Sequence, residues 1–96
     1  MPRYVLSRRS DQDIDDITQT TIDKWGIGQA EIYVLGLHAS FQLLASAPEL
    51  GRDASNIRSG YRRFETASHV VFYRITSDGI LIVRILHQRM DFRRHL

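Results

Sequence analysis

The sequence predicts an α+β fold in the order β-α-α-β-β-β: an antiparallel three-strand meander with an N-terminal strand added to it and a helical hairpin packed on one face. Three observations carry that expectation. Residues 69–75 and 80–86 are rich in Val, Ile, Phe and Tyr, whose branched or flat side chains suit a pleated surface. Asp78-Gly79 between them is a short-range hairpin signal, because glycine accepts the positive φ that a tight turn between twisted strands demands. Upstream, Ile14, Ile17, Thr21 and Trp25, then Ala30, Val34, Leu37, Phe41 and Leu44, recur every three or four residues, the stripes of two amphipathic helices.

Taken in order, residues 3–6 form the first strand, with Tyr4 and Leu6 on one side and Val5 on the other. Ser7 or Ser10 supplies an N-cap oxygen for the first helix. Asp11, Asp13, Asp15 and Asp16 crowd its first turns, where carboxylates suit the free N–H groups and the helix dipole; a metal-binding or catalytic carboxylate set is the sharper alternative. Gly26 ends this helix, and a second begins near Gly28-Gln29 and stops by Ser46, before Pro48. Only Gly26-Ile27-Gly28 joins them, so they fold back as an antiparallel pair. Tyr33 and Leu35 lie off the inner stripe, as wide core or as an apolar edge for a partner. Residues 48–59 form a polar return loop.

A short strand over 61–64 and a turn over 65–68 lead into the two long strands. Both long strands carry apolar residues on both parities, so they are central in the sheet. Arg74 and Arg84 interrupt one parity each and share the face opposite the helices where the register aligns them. The first strand, severed from the meander by the helices, pairs at an edge or between later strands.

Ninety-six residues suit a single domain over 1–96, whose folding hides roughly 60–65% of the unfolded chain's surface. The chain has no cysteine, which excludes thiolate nucleophiles, disulfides and Cys-based metal sites. No run approaches the ~20 apolar residues of a membrane span, and MPRYVLSRRSD lacks the apolar stretch of a signal peptide, so a cytoplasmic location is expected. Residues 1–49 hold four basic against seven acidic residues and 50–96 nine against four, a split of −3 and +5, and twelve of the thirteen basic residues are Arg. Guanidinium forks suit carboxylates, phosphates and protein interfaces. Scattered among apolar residues, they favour an acidic protein partner over nucleic acid.

Five pieces in this order, LSRRSDQDIDDI, WGIGQAEIY, IRSGYRRF, SHVVFYRI and VRILHQRMD, together resemble the ParE branch of the RelE/ParE toxins of bacterial toxin–antitoxin systems. The resemblance implies a toxin, often serving plasmid stabilisation, that is neutralised by direct binding of a ParD-like antitoxin. It also implies that the toxin acts on DNA gyrase by binding, without catalysis, cofactor, metal or sequence-specific nucleic-acid contact of its own. RelE-type relatives instead cut messenger RNA on the ribosome. Laid on their pattern, the lysine pair falls on Tyr61 and Arg63, the central-strand arginine on Val70 and the final arginine on Arg89, with no tyrosine after it. Acid–base chemistry would rest on His69 or His87, so this nuclease set is incomplete. A ParE-like chain without toxicity, serving only as the antitoxin's partner, is the third expectation.

For the antitoxin, Trp25, Tyr33 and Leu37 are candidates for an apolar groove that accepts a partner helix, and Arg62, Arg74 and Arg84, with Arg63, for pairing with its carboxylates. The candidates for the target-facing surface are Arg63, His87, Arg89, Met90, Asp91, Arg93 and Arg94, on the basic sheet face and the charged tail. His69 and His87 alone are too few ligands for a metal, and His38 lies beside the helical stripe as a packing residue.

Overall fold

The computed structural model describes residues 3–96. They form β1 (Arg3–Leu6), α1 (Arg8–Trp25), α2 (Ile27–Ser46), a 3-10 turn (Pro48–Leu50), β2 (Arg52–Asp53), β3 (Arg62–Thr66), β4 (His69–Thr76), β5 (Gly79–His87) and α3 (Phe92–His95). One five-stranded sheet has the order β1-β5-β4-β3-β2. The meander is antiparallel, and β1 joins the edge of β5 in parallel, Tyr4 opposite Ile80 and Leu6 opposite Ile82. The α+β expectation holds, with one strand added.

Ser7, the earlier of the two serines, caps α1: its Oγ accepts from Ser10 N at 3.0 Å and donates to the Val83 carbonyl at 2.7 Å. One contact thus caps the helix and fastens its start to β5. At the other end a single residue, Gly26 at φ +91°, separates the helices. Its N–H bonds Ile22 O and its carbonyl accepts from Ala30 N, a reversal that a side chain would strain.

On the helix side of the sheet, Ile14, Ile17, Leu37, Phe41, Leu44 and Ala45 pack against Val71, Tyr73, Ile80, Ile82 and Ile85. The jump from Ile82 to Ile85 marks a bulge: Tyr73 opposes Ile82 but Phe72 opposes Arg84, leaving Val83 as the extra residue. An inserted residue reverses the pleat parity beyond it.

The opposite face is not open. Ala54, Val70, Phe72 and Leu86 form a second small core beneath Ile57, Tyr61, Phe92 and Leu96. The 48–59 segment is accordingly more than a polar loop, since it holds the 3-10 turn, β2 and buried Ala54. The charged tail ends in the helical turn α3, whose Phe92 and Leu96 cover apolar surface of the sheet.

Two turn assignments change. The β3–β4 hairpin closes over two residues, with Thr66 opposite His69 and Ala67 at φ 51°, so β3 runs two residues further than expected. In the β4–β5 hairpin Thr76 opposes Gly79, leaving Ser77-Asp78 as the turn, and Gly79 has no positive φ. What requires glycine there is β1, because a Cβ on Gly79 would lie 1.8 Å from the Arg3 carbonyl oxygen.

Fully buried Tyr73 ties the 48–51 segment to the sheet: its hydroxyl donates to Pro48 O at 2.6 Å and accepts from Gly51 N at 3.0 Å. Tyr73→Phe strands both groups, so we expect a loss of about 1–3 kcal/mol in urea unfolding with an unchanged m-value. A loss below roughly 0.5 kcal/mol would mean that water reaches these groups.

Candidate interaction surfaces

The helical hairpin presents apolar residues outward as well as inward. Ile32, Leu35, Ala39 and Leu43 recur along α2 on its exposed side, Ile32 and Leu35 at 65% and 63% exposure, and Trp25 at the hinge is 73% exposed beside Ile27. Trp25 therefore leaves the inner stripe of α1 and stands in solvent. Leu37 does not: it is 2% exposed and belongs to the core, because it faces the sheet with Phe41 and Leu44. Tyr33 is half-buried with its hydroxyl 2.6 Å from His69 Nδ1. Ile27, Ile32 and Leu43 lie outside the inner stripe, and their sequence signal is an α2 that is apolar nearly all round.

Beside the hinge an open cleft of about 490 Å³ is lined by Lys24, Trp25, Tyr33, His69 and His87 among others. His69 opposes His87 across the β4–β5 ladder, with ring centroids 5.4 Å apart. Burial, reinforced by the neighbouring His87, lowers the His69 pKa to about 4, so this imidazole is neutral near pH 7. Burial also raises the Tyr33 pKa. His87 Nδ1 accepts from Arg89 N at 3.1 Å, which leaves its Nε2 to carry the proton in the neutral ring.

The arginines sort into spent and free. Register does place Arg74 and Arg84 on one side of the sheet, opposite Leu81 and Phe72. Arg84, however, is 9% exposed, with Nε 2.8 Å and Nη2 2.9 Å from the two oxygens of Asp13 and Nη1 2.9 Å from His95 O. The Asp13 carboxylate holds its guanidinium pKa up. Arg84 is therefore internal and offers nothing to an antitoxin carboxylate. Arg62 is similarly committed, its Nη2 donating to Gly51 O at 2.6 Å and Glu49 O at 3.1 Å. Arg63 sits over the rings of Phe72 and Phe92, 5.9 and 5.1 Å from their centroids, with Glu65 3.4 Å away. Arg74, Arg89, Met90, Asp91, Arg93 and Arg94 are exposed, and Asp91 caps α3 through Arg93 N.

Asp13 also leaves the acidic cluster of α1. It is buried, and besides holding Arg84 it accepts from Ile85 N at 2.9 Å. Among the described residues no three His, Asp or Glu side chains are placed to share a metal ion.

Of the residues laid on the RNA-cutting pattern, Arg63 is parted by the sheet from His69 and His87, while Arg89 stays beside His87. His69 and His87 share the helix-side face with Val71 and Ile85, whereas Arg63 opposes Phe72 on the other. Val70, which falls at the central-strand arginine position, is buried. The two imidazoles and the Arg63 guanidinium, on opposite faces, cannot converge on one phosphate.

Residues 4–92 match the family model described as ParE toxin of type II toxin-antitoxin system, parDE. The chain is similar to Toxin ParE1 of Caulobacter vibrioides, 44% identical over 96 residues that cover 100% of this chain and 99% of the relative. It is also similar to Toxin ParE1 of Mycobacterium tuberculosis, 42% identical over 95 residues covering 98% and 97%. Its fold resembles a chain in the solved structure of a chromosomal ParDE toxin–antitoxin system from P. aeruginosa. There the TM-score is 0.77 at 20% identity, over 91% of this chain and 96% of that one.

Two measurements test the buried groups. Breaking the Asp13–Arg84 pair from one side strands a buried charge, so Asp13→Ala should lose about 3–5 kcal/mol in urea unfolding, while Asp13→Leu combined with Arg84→Met regains most of it; a loss under ~1 kcal/mol contradicts the assignment. For His69, the unfolded ring takes up a proton near pH 6.5 and the folded one only near 4. Stability should therefore fall as pH drops from about 6.5 towards 4. Thermal unfolding of His69→Asn should lack the part of that fall above pH 5, and equal slopes in both proteins would disprove it.

Proposed function

The chain belongs to the ParE toxin family of type II toxin–antitoxin systems, and from that premise we propose that it is held inactive by a ParD-like antitoxin and acts on DNA gyrase by binding. The observation that carries the antitoxin reading is the outward face of α2, where Ile32, Leu35 and Leu43 stand exposed at helical spacing beside Trp25. A row of this kind accepts the apolar face of a partner helix. Exposed Asp11, Asp15 and Asp16 of α1 and the basic 50–96 half give the surface two signs of charge. Exposed Arg74 remains available for an antitoxin carboxylate, in place of Arg62 and Arg84.

Binding without catalysis is supported by the separation of the imidazoles from Arg63 and by the lowered pKa of His69. With its pKa lowered, His69 is a weak candidate for a general base near neutral pH. The target-facing surface in this reading is the exposed tail, Arg89 to Arg94, with His87 at its root. Arg63, stacked under Phe92, contributes from beneath.

Ile32→Asp together with Leu35→Asp should weaken antitoxin binding by at least about thirtyfold and leave thermal stability unchanged, since both side chains face water; calorimetric titration reads this, and undiminished affinity would place the antitoxin elsewhere. Arg89→Ala, Arg93→Ala and Arg94→Ala combined should abolish growth arrest while antitoxin binding persists. Inducing the chain alone should yield double-strand breaks and the SOS response. Cleaved transcripts with intact chromosomes would establish the RelE-type activity instead, and neither effect would leave an antitoxin partner without toxicity.

A further inference from the structure

We propose that the free edge of β1 pairs with β1 of a second copy of this chain, antiparallel and about a two-fold axis through Val5, so that the two sheets continue as one. Register fixes which backbone groups are available. Ser7 N donates to Ile82 O, and the Arg3 carbonyl oxygen lies where a Cβ on Gly79 would fall. Along a parallel ladder one residue turns both its groups to the neighbouring strand and the next turns them away. Arg3 and Val5 therefore face β5, while the N–H and C=O of Tyr4 and Leu6 face outward. β1 has no strand beyond it, and no loop or cap among the described residues bonds these outward groups.

The edge is open to another chain. Beside it, between β1 and the last turns of α2, a cleft of about 420 Å³ is lined by Arg3, Tyr4, Gln42, Ala45 and Ser46, which leaves room for a neighbouring strand. The rest of the sheet's periphery is closed. β2 at the far edge is two residues long, with Arg52 bonded to Glu65, and the edge of β5 past Ile82 is taken by Ser7 and Asp13. A bare strand is what a protein ordinarily pairs, covers or charges, and the one charge on β1, Arg3, is turned to Asp78 at 2.9 Å.

Symmetry selects a second copy as the occupant. The outward row recognises an extended backbone, and in an antiparallel pair the groups of one outward residue must meet those of another directly opposite. With the axis on Val5, Tyr4 faces Leu6 of the second copy and Leu6 faces its Tyr4, so every outward N–H and C=O finds its complement. Placed on Tyr4, the axis would oppose Leu6 to Pro2, which has no N–H. Placed on Leu6, it would oppose Tyr4 to Arg8, already in α1. The side chains fit the same register. Tyr4 and Leu6 pack on the helix side, so Val5 lies on the other face, where it is 56% exposed. It meets its own copy in a non-hydrogen-bonded pair, where side chains come closest. Arg3 falls opposite Ser7, so no like charges are set against each other. Such a contact is isologous and closes at two chains, and it rests on neither the antitoxin nor the gyrase reading.

The test is sedimentation velocity of the full chain without antitoxin, from roughly 10 µM to 1 mM, the range in which a small interface associates, with amide exchange followed by NMR over the same range. A dimer is expected, and the Tyr4 and Leu6 amides should slow at least about tenfold as concentration rises, whereas that of Val5, already bonded within the chain, changes less. Val5→Lys and Val5→Glu should each weaken self-association at least about tenfold. Mixed together, these two variants should associate at least about tenfold more tightly than either does alone, a rescue that misfolded chains cannot give. Ile32→Asp, away from the edge, should change association by less than about twofold. The proposal is overturned if the chain stays monomeric at about 1 mM, if the mixed variants do not associate, or if Ile32→Asp dissolves the dimer, which would place the contact on α2. It is equally overturned if Tyr4 and Leu6 gain protection only when antitoxin is added, which would make an extended antitoxin segment the occupant.

Discussion

The Asp13–Arg84 pair is the contact on which the arrangement of this molecule turns. β1 ends at Leu6, so beyond Ile82 the outer edge of β5 has no strand beside it. An edge left bare exposes unpaired amides. Here the polypeptide closes it with side chains: Ser7 donates to Val83 O, and Asp13 accepts from Ile85 N. The bulge at Val83 turns Arg84 to meet Asp13 in a two-toothed contact, and the remaining guanidinium nitrogen takes the His95 carbonyl. One ion pair therefore sets where α1 crosses the sheet and where α3 lies across its other face.

Because α3 is anchored in this way, the second face is covered and not free. Phe92 and Leu96 lie over Val70, Phe72 and Leu86, and Arg63 is sandwiched against Phe72 and Phe92. The exposed cations are peripheral, among them Arg74 near one end of β4 and those of the tail. Apolar surface is concentrated on the helical hairpin.

Much of the fold was legible in the residues. The helical stripes, the helix stop at Gly26, and the β-prone, apolar residues on both parities of the two long strands within 69–86 led to the right order and to the central position of β4 and β5. Less of the site was legible. Trp25 came out exposed, but Leu37 lies in the core, and Arg62 and Arg84 are bonded internally. A stripe in sequence names residues that share a helix face without saying which face meets the sheet. An arginine likewise looks the same whether its partner is water or a carboxylate 71 positions away.

The amino-acid order alone determined the elements, their succession and the two-sidedness of the charge, because these follow from interactions within a few residues along the chain. Only tertiary structure decided the parallel docking of β1, the bulge that flips Arg84 and Ile85, the partner of Asp13 and the separation of His69 and His87 from Arg63. Each of these depends on which distant backbone group comes within about 3 Å, the reach of a hydrogen bond. Neither periodicity nor composition carries that distance.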